Sequence, residues 1–92
     1  MLAAEDPHYI ELITRLRNLR RSRGHTQADL AELLNKPQSY VSKVETCERR
    51  INAVEAARWC IALGVFLQDV LPPDLKVPSN RSIFKRVRWV KR

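Results

Sequence analysis

Glycine and cysteine each occur only twice in this sequence of 92 residues. So little glycine, together with 45% apolar residues and runs of Leu, Ala, Arg and Glu, favours a compact helical protein over a disordered or disulfide-built one. A chain of this length buries one modest hydrophobic core, because each half of it would be too small to be stable alone. We therefore expect an all-α protein with one folded domain.

Metal and catalytic motifs are also lacking. Cys47 and Cys60 stand thirteen residues apart, and neither His8 nor His25 lies at metal-ligand spacing beside them. The sequence shows neither a Ser/His/Asp grouping typical of a hydrolase nor a glycine-rich loop that would bind phosphate. We expect two free thiols, no metal, no cofactor and no enzymatic activity.

Long apolar runs are missing as well. No stretch approaches the roughly 20 apolar residues that a membrane span requires. The first residues do not form a basic stretch followed by an apolar core, as a secretory signal would. We expect a cytoplasmic protein that does not bind membranes.

The last seventeen residues of the chain are basic and contain no acidic residue. Residues 1–75 hold ten Lys and Arg against ten Asp and Glu, so the net charge of +7 comes wholly from residues 76–92. A polyanionic partner is therefore expected, either nucleic acid or an anionic membrane surface. Basic and apolar residues interleave in this tail without a clean amphipathic face, which favours nucleic acid. The basic residues of this tail are Lys76, Arg81, Lys85, Arg86, Arg88, Lys91 and Arg92.

Helix signals recur along the first three quarters of the chain. Asp6, followed by proline, suits the start of a helix, and capping-box pairs stand at Thr26/Asp29 and Asn52/Glu55. We predict helices over residues 7–23, 27–34, 38–46, 53–63 and 66–71, in a domain of residues 1–73. Residues 74–92 are then a linker and a basic tail.

The third predicted helix has two different sides. Val41 and Val44 share one side, which we expect to face inward. The opposite side is polar without being acidic, and consists of Ser39, Ser42, Lys43 and Thr46. Two short helices joined by a tight turn, the second with a polar outer side, suit presentation of that helix to the major groove of DNA.

These features resemble those of the helix-turn-helix family of phage repressors and Cro proteins, also called the XRE family. The resemblance covers residues 16–71 and implies a five-helix, lambda-repressor-like fold that binds double-stranded DNA. The motifs that match the family are Leu19-Arg20-x-x-Arg23-Gly24, Thr26-Gln27-Ala28-Asp29-Leu30-Ala31, Gln38-Ser39-Tyr40-Val41-Ser42-Lys43-Val44-Glu45 and Ala62-Leu63-Gly64-Val65.

The resemblance also implies roles for single residues. Arg20 and Glu45 fall on positions that form a partly buried structural ion pair in the family. The base-reading positions fall on Gln38, Ser39, Ser42 and Lys43, and the phosphate-contacting ones on Thr26, Gln27, Thr46 and Arg49 or Arg50. These side chains suit the roles, because amide, hydroxyl and cationic groups donate to base edges and phosphates.

Three residues depart from the family pattern. Cys47 stands where many relatives have glycine, so the turn after the third helix can differ. Ile61 and Phe66 stand where polar residues are usual. They are either ordinary exposed apolar residues or, with Ile83, Phe84, Val87 and Trp89 of the tail, a contact within one chain, across a dimer or with a protein partner.

We expect a transcription regulator of the nucleoid, which as a homodimer represses by occupying a palindromic operator. Two alternatives keep the scaffold. One is the antitoxin of a toxin–antitoxin pair, whose tail or Ile61/Phe66 surface binds a protein. The other is a protein-interaction or coactivator module without base readout.

Overall fold

The computed structural model describes residues 6–75, and within that range it contains helices and no strand. The expected all-α fold with five helices is confirmed. The helices are α1 (Pro7–Ser22), α2 (Gln27–Leu34), α3 (Gln38–Glu45), α4 (Ala53–Leu63) and α5 (Leu67–Val70).

The helices begin where the sequence offers side-chain caps. The Asp6 carboxylate accepts a hydrogen bond from the His8 N–H, and both predicted capping boxes are present, at the starts of α2 and α4. Four helix ends differ by one residue from the prediction. Helix α1 stops at Ser22 and α3 at Glu45, while α5 is shorter at both ends because Phe66 and Leu71 have extended backbones.

One core holds the helices together. Trp59 of α4 is fully buried, and its indole N–H donates to the Tyr40 hydroxyl at 3.1 Å. Both inward valines of α3 are fully buried, as predicted. The remaining buried apolar residues are Ile13, Leu16, Leu30, Ala31, Cys47, Ile51, Ala56, Cys60, Leu63 and Val70. Cys47 and Cys60 are both free thiols.

Two turns around α3 use the left-handed backbone conformation. Asn35, which ends α2, has φ 54°, and Cys47, after α3, has φ 62°. The turn at Cys47 thus keeps the left-handed backbone conformation that glycine would favour. The side chain of Cys47 is buried in the core. These two positions fix how the chain enters and leaves α3.

We expect Asn35→Ala to lower the free energy of unfolding by about 1 kcal/mol, because alanine adopts the left-handed conformation poorly. For a domain of this size that is a fall of about 4–8 °C in Tm. The matched control is Asn18→Ala, at an exposed position within α1, where alanine is a better helix former than asparagine. Thermal unfolding that is equally affected by both substitutions would contradict the account.

Candidate nucleic-acid interface

Helices α2 and α3 form a pair joined by residues 35–37. The pair is anchored from below, since Leu30 and Ala31 of α2 and Val41 and Val44 of α3 all lie in the core. The short turn follows from the left-handed Asn35, with Pro37 directly before α3. Helix α3 is therefore held firmly while its other side stays open.

The open side of α3 carries the four residues predicted to read bases. Gln38, Ser39 and Lys43 are exposed, and Ser42 is half-buried beside them. We call these four residues the reading face. It contains no carboxylate, because the one acidic residue of α3, Glu45, points into the protein and is 6% exposed.

Glu45 forms a buried ion pair with Arg20 of α1. The Arg20 Nε donates to one carboxylate oxygen at 2.7 Å and the Nη2 to the other at 3.0 Å. The two side chains are only 7% and 2% exposed. Arg20 also donates to the His25 carbonyl at 2.8 Å, so it ties α1 to α3 and to the start of α2.

Gln27, at the first position of α2, joins the same network. Its amide Nε2 donates to Glu45 Oε1 at 3.0 Å. An amide nitrogen carries two hydrogens, so the second N–H remains to donate elsewhere. Glu45 thus orients the first residue of α2 as well as holding Arg20.

Thr26 and Asp29 close the capping box at the same end of α2. The Thr26 hydroxyl accepts from the Asp29 N–H at 3.0 Å, and the Asp29 carboxylate accepts from the Thr26 N–H at 2.9 Å. The backbone hydrogen bond from Thr26, and then the one that involves its side chain, lowers the pKa of Asp29 below its ordinary value. Asp29 therefore stays ionised and folded back over the helix start.

The other predicted phosphate-contacting residues lie in residues 46–52, which we call the α3–α4 loop. The Thr46 hydroxyl is 2.8 Å from Glu48 Oε2. The Arg50 guanidinium lies 5.0 Å from the ring centroid of Tyr9. The structure thus divides the predicted phosphate contacts into two groups, at the start of α2 and at the loop that follows α3.

Arg49 belongs to a cluster that the sequence did not reveal. Its guanidinium donates to Glu55 at 3.0 Å and lies 4.8 Å from the centroid of the Tyr40 ring. Lys36 lies over the same ring at 5.4 Å. Together with Trp59 these groups line a polar hollow of about 290 Å³ next to the start of α3. Lys36 is therefore a further cation beside the reading face. Its position in the sequence, directly before Pro37 and the start of α3, could have indicated this.

Glu55 is the acidic centre of this cluster. Burial alone would raise the pKa of its carboxyl, but hydrogen bonds from the Asn52 N–H, Tyr40 and Arg49 outweigh burial and lower it. The Tyr40 hydroxyl donates to this carboxylate at 3.0 Å. The carboxylate is ionised at neutral pH and holds Arg49 against the loop.

Five large apolar side chains are exposed on the described surface. The predicted departures Ile61 and Phe66 are 77% and 75% exposed, Leu33 and Val54 are more than half exposed, and Leu75 is 48% exposed. Leu33 and Ile61 line an open apolar groove of about 240 Å³, with Leu34, Arg58 and Ala62. The tail residues of the alternative contact, Ile83, Phe84, Val87 and Trp89, lie outside the described residues, so both interpretations of Ile61 and Phe66 stay predictions.

Other kinds of site are not seen in the described part of the chain. Among residues 6–75, no three His, Cys, Asp or Glu side chains come together as a metal ion would require. Every helix within that range is too short or too polar to span a bilayer.

Comparison with known proteins agrees with this geometry. Residues 16–69 match the sequence profile of a family described as helix-turn-helix. The chain is also similar to the solved structure of the clp gene regulator ClgR from C. glutamicum, at 30% sequence identity and a TM-score of 0.65, over 72% of this chain and 86% of that one. No curated protein matches the sequence. The chain therefore belongs to the XRE-type helix-turn-helix family of DNA-binding transcription regulators.

Proposed function

We propose that the protein regulates transcription by placing α3 in the major groove of a specific duplex sequence. The observation that carries the proposal is the reading face, which is open and free of acid while the underside of α3 is fully buried. A helix held in this way presents its side chains to base edges in a fixed register. The protein acts in the cytoplasm, on the nucleoid, and needs no catalytic chemistry.

The chemistry of the reading face suits base recognition. The Gln38 amide both donates and accepts, which suits adenine N6 and N7, and the Lys43 ammonium donates to guanine O6 and N7. Ser39 and Ser42 donate or accept according to the base they meet. An acid-free face avoids repulsion by the phosphates on either side of the groove.

Phosphate contacts on both sides of α3 set its register. Thr26 and the free N–H of Gln27 serve one backbone, and Thr46, Arg49 and Arg50 of the α3–α4 loop serve the other. Such contacts position the protein and leave the choice of sequence to the bases. The Arg20–Glu45 pair supports both groups, since it fixes Gln27 and the end of α3.

We further propose that the protein binds as a homodimer and represses by occupying a palindromic operator. Two recognition helices related by a two-fold axis reach half-sites about 34 Å apart, one turn of the duplex. The exposed Ile61 and Phe66 offer apolar surface for protein contact. The same exposure favours one second candidate, an antitoxin whose protein partner covers these residues.

The experiment is a selection of binding sequences from random duplexes at a stated salt concentration, followed by measurement of Kd for the recovered sequence. We expect one recurrent motif with two inverted halves. Recovery of unrelated duplexes with equal Kd would show that the reading face reads no bases. Co-purification of a protein partner, with no duplex selected, would favour the coactivator or antitoxin alternative.

We expect Glu55→Gln to strengthen binding to duplexes of any sequence, because it releases Arg49 toward phosphates. The amide oxygen of glutamine keeps the cap on the Asn52 N–H, while its NH2 group cannot accept the hydrogen bonds that Arg49 and Tyr40 donate to Glu55. An exposed ion pair is worth up to about 1 kcal/mol, so Kd falls by up to about fivefold at low salt.

The matched control for this change is Glu11→Gln. It removes one carboxylate from a comparable pair, since Arg15 Nη2 lies 2.8 Å from Glu11, on the side of α1 that meets α5. Fluorescence anisotropy with a labelled duplex measures both variants. Equal gains in affinity would mean that net charge alone acts, and that Glu55 does not restrain Arg49 in particular.

A further inference from the structure

The polar hollow beside α3 carries a local surplus of positive charge. Its charged lining residues are Lys36, Arg49, Arg58 and Glu55, three cations and one carboxylate. Residues 1–75 as a whole hold equal numbers of basic and acidic residues, so this surplus is a property of the hollow. We call the hollow, which measures about 290 Å³, the flank site.

Two of the three cations share one aromatic ring. The Lys36 ammonium lies 5.4 Å and the Arg49 guanidinium 4.8 Å from the centroid of the Tyr40 ring. The ring attracts each cation and so holds both at the flank site, although like charges repel each other. A bound anion would reduce this repulsion.

The cations of the flank site keep donors available. Arg49 uses a single nitrogen, Nη1, for its hydrogen bonds to Glu55 and to the Arg50 carbonyl. Its Nε and Nη2 carry further N–H groups that can donate to a ligand. Within residues 6–75, the exposed side chains of Lys36 and Arg58 form no ion pair and no hydrogen bond. Three side chains can therefore donate to one anion.

Glu55 is the one group of the flank site that opposes an anion. Its carboxylate accepts hydrogen bonds from the Tyr40 hydroxyl at 3.0 Å and the Asn52 N–H at 3.2 Å, in addition to the one from Arg49. These donors hold the carboxylate in place and offset part of its charge. Lys36 and Arg58 remain for a ligand.

The flank site lies where a bound duplex places its phosphates. Tyr40 is the third residue of α3 and lies three residues before Lys43 of the reading face, so the two are neighbours along the helix. A major groove about 12 Å wide admits a helix about 10–12 Å across, so the two backbones pass directly along the flanks of that helix. A hollow on the flank of α3 therefore faces a backbone.

We propose that the flank site binds one phosphate of the DNA backbone, and that Lys36, Arg49 and Arg58 donate to it. This inference rests on the proposed function and adds a defined site to it, with Lys36 and Arg58 as further phosphate contacts. The ligand chemistry is a phosphate group, and the tests separate a backbone phosphate from a free phosphate ion. Since every sequence has the same backbone, the site supplies affinity and positions α3 without choosing bases.

The first test measures the salt dependence of binding for the double variant Lys36→Gln with Arg58→Gln. Both positions are exposed, and glutamine is a good helix former, so we expect the Tm to stay unchanged. Loss of one phosphate contact lowers the slope of log Kd against log salt by about 0.9. We expect a fall of that size for the selected and the scrambled duplex alike. An unchanged slope overturns the proposal.

The matched control for the loss of charge is Arg15→Gln, compared with Arg58→Gln alone. Arg15 lines a different hollow, on the side of α1 that meets Asp69 and Val70 of α5. We expect Arg58→Gln to lower the salt slope and Arg15→Gln to leave it unchanged. Equal falls in the two variants would mean that net charge alone acts, and they overturn the site.

The second test locates the phosphate on the duplex. In a series of selected duplexes, a neutral methylphosphonate replaces one backbone phosphate at a time. We expect the wild type to lose about tenfold in affinity at one position that the Lys36/Arg58 double variant tolerates with less than about twofold loss. Phosphates bound by Gln27 should matter equally to both proteins. Identical profiles for the two proteins overturn the placement on the backbone.

The third test asks whether the flank site instead takes a free phosphate ion. Inorganic phosphate is added to the full chain without DNA, at constant ionic strength, with chloride as the control. The NMR signal of the Trp59 indole N–H reports binding, because this group lines the hollow and donates to Tyr40. We expect only weak binding, with a Kd above about 1 mM. A Kd far below that value, together with an unchanged salt slope in the double variant, assigns the site to a free ligand and overturns the proposal.

The outcomes distinguish failure of the flank site from failure of the proposed function. A wild type that selects its sequence, with a double variant of unchanged slope, overturns the flank site alone. A wild type that binds all duplexes equally, with a lower slope in the double variant, overturns base reading and leaves the flank site standing. A wild type that binds no duplex overturns both.

Discussion

Glu45→Ala is expected to lower the free energy of unfolding by about 3–5 kcal/mol, since it leaves a buried charge without its partner. Arg20 is 6% exposed and would keep only its hydrogen bond to the His25 carbonyl. Gln27 would lose its acceptor as well. For a domain of this size, such a loss lowers the Tm by at least about 12 °C.

The double variant Arg20→Met with Glu45→Leu is the control for this prediction. It replaces both charges with apolar groups of similar size, a change that is often neutral or stabilising for buried pairs. We expect its Tm to recover most of the loss seen in Glu45→Ala. Thermal unfolding gives the Tm of both variants, and urea unfolding gives their free energies of unfolding. If Glu45→Ala unfolds like the wild type, the pair does not hold α1 to α3.

Gln38→Ala with Lys43→Ala is expected to abolish the preference for the selected duplex. A bidentate base contact is worth about 1–3 kcal/mol of discrimination, so two contacts together account for about 2–6 kcal/mol. Both side chains are exposed, and we expect the Tm to stay unchanged. Competition between the selected and a scrambled duplex measures the loss.

Two controls separate base reading from general binding. Gln68→Ala changes an exposed glutamine of α5 and should alter neither Kd nor preference. Arg49→Ala, at a proposed phosphate contact, should weaken binding to every duplex alike and lower the salt slope by about 1. If the double variant instead weakens binding to both duplexes equally, the reading face contacts backbone and does not read bases.

Local signals allowed the helices to be predicted. The Thr26/Asp29 and Asn52/Glu55 pairs are short-range, and a side chain that bonds a backbone N–H three residues away marks a helix start whatever surrounds it. The inward side of α3 was equally predictable, because Val41 and Val44 are spaced for one side of a helix.

Interactions between distant residues were harder to predict. The resemblance implied that Arg20 and Glu45 pair, but no local pattern indicated that Gln27 donates to the same carboxylate. The contact of Arg49 with Glu55 and Tyr40 depends on how α3 and α4 pack, which composition does not record. The short α5 follows from extended backbone at Phe66, where an apolar residue cannot cap the helix through its side chain.

The most direct test of the central claim is the ratio of Kd values for a scrambled and a selected duplex, measured on the wild-type full chain at physiological salt. Specific DNA-binding proteins favour their site by a factor of about 10³ or more. We predict a ratio of at least that order for this protein. A ratio near one, with the chain folded, would show that α3 does not read DNA and would contradict the account.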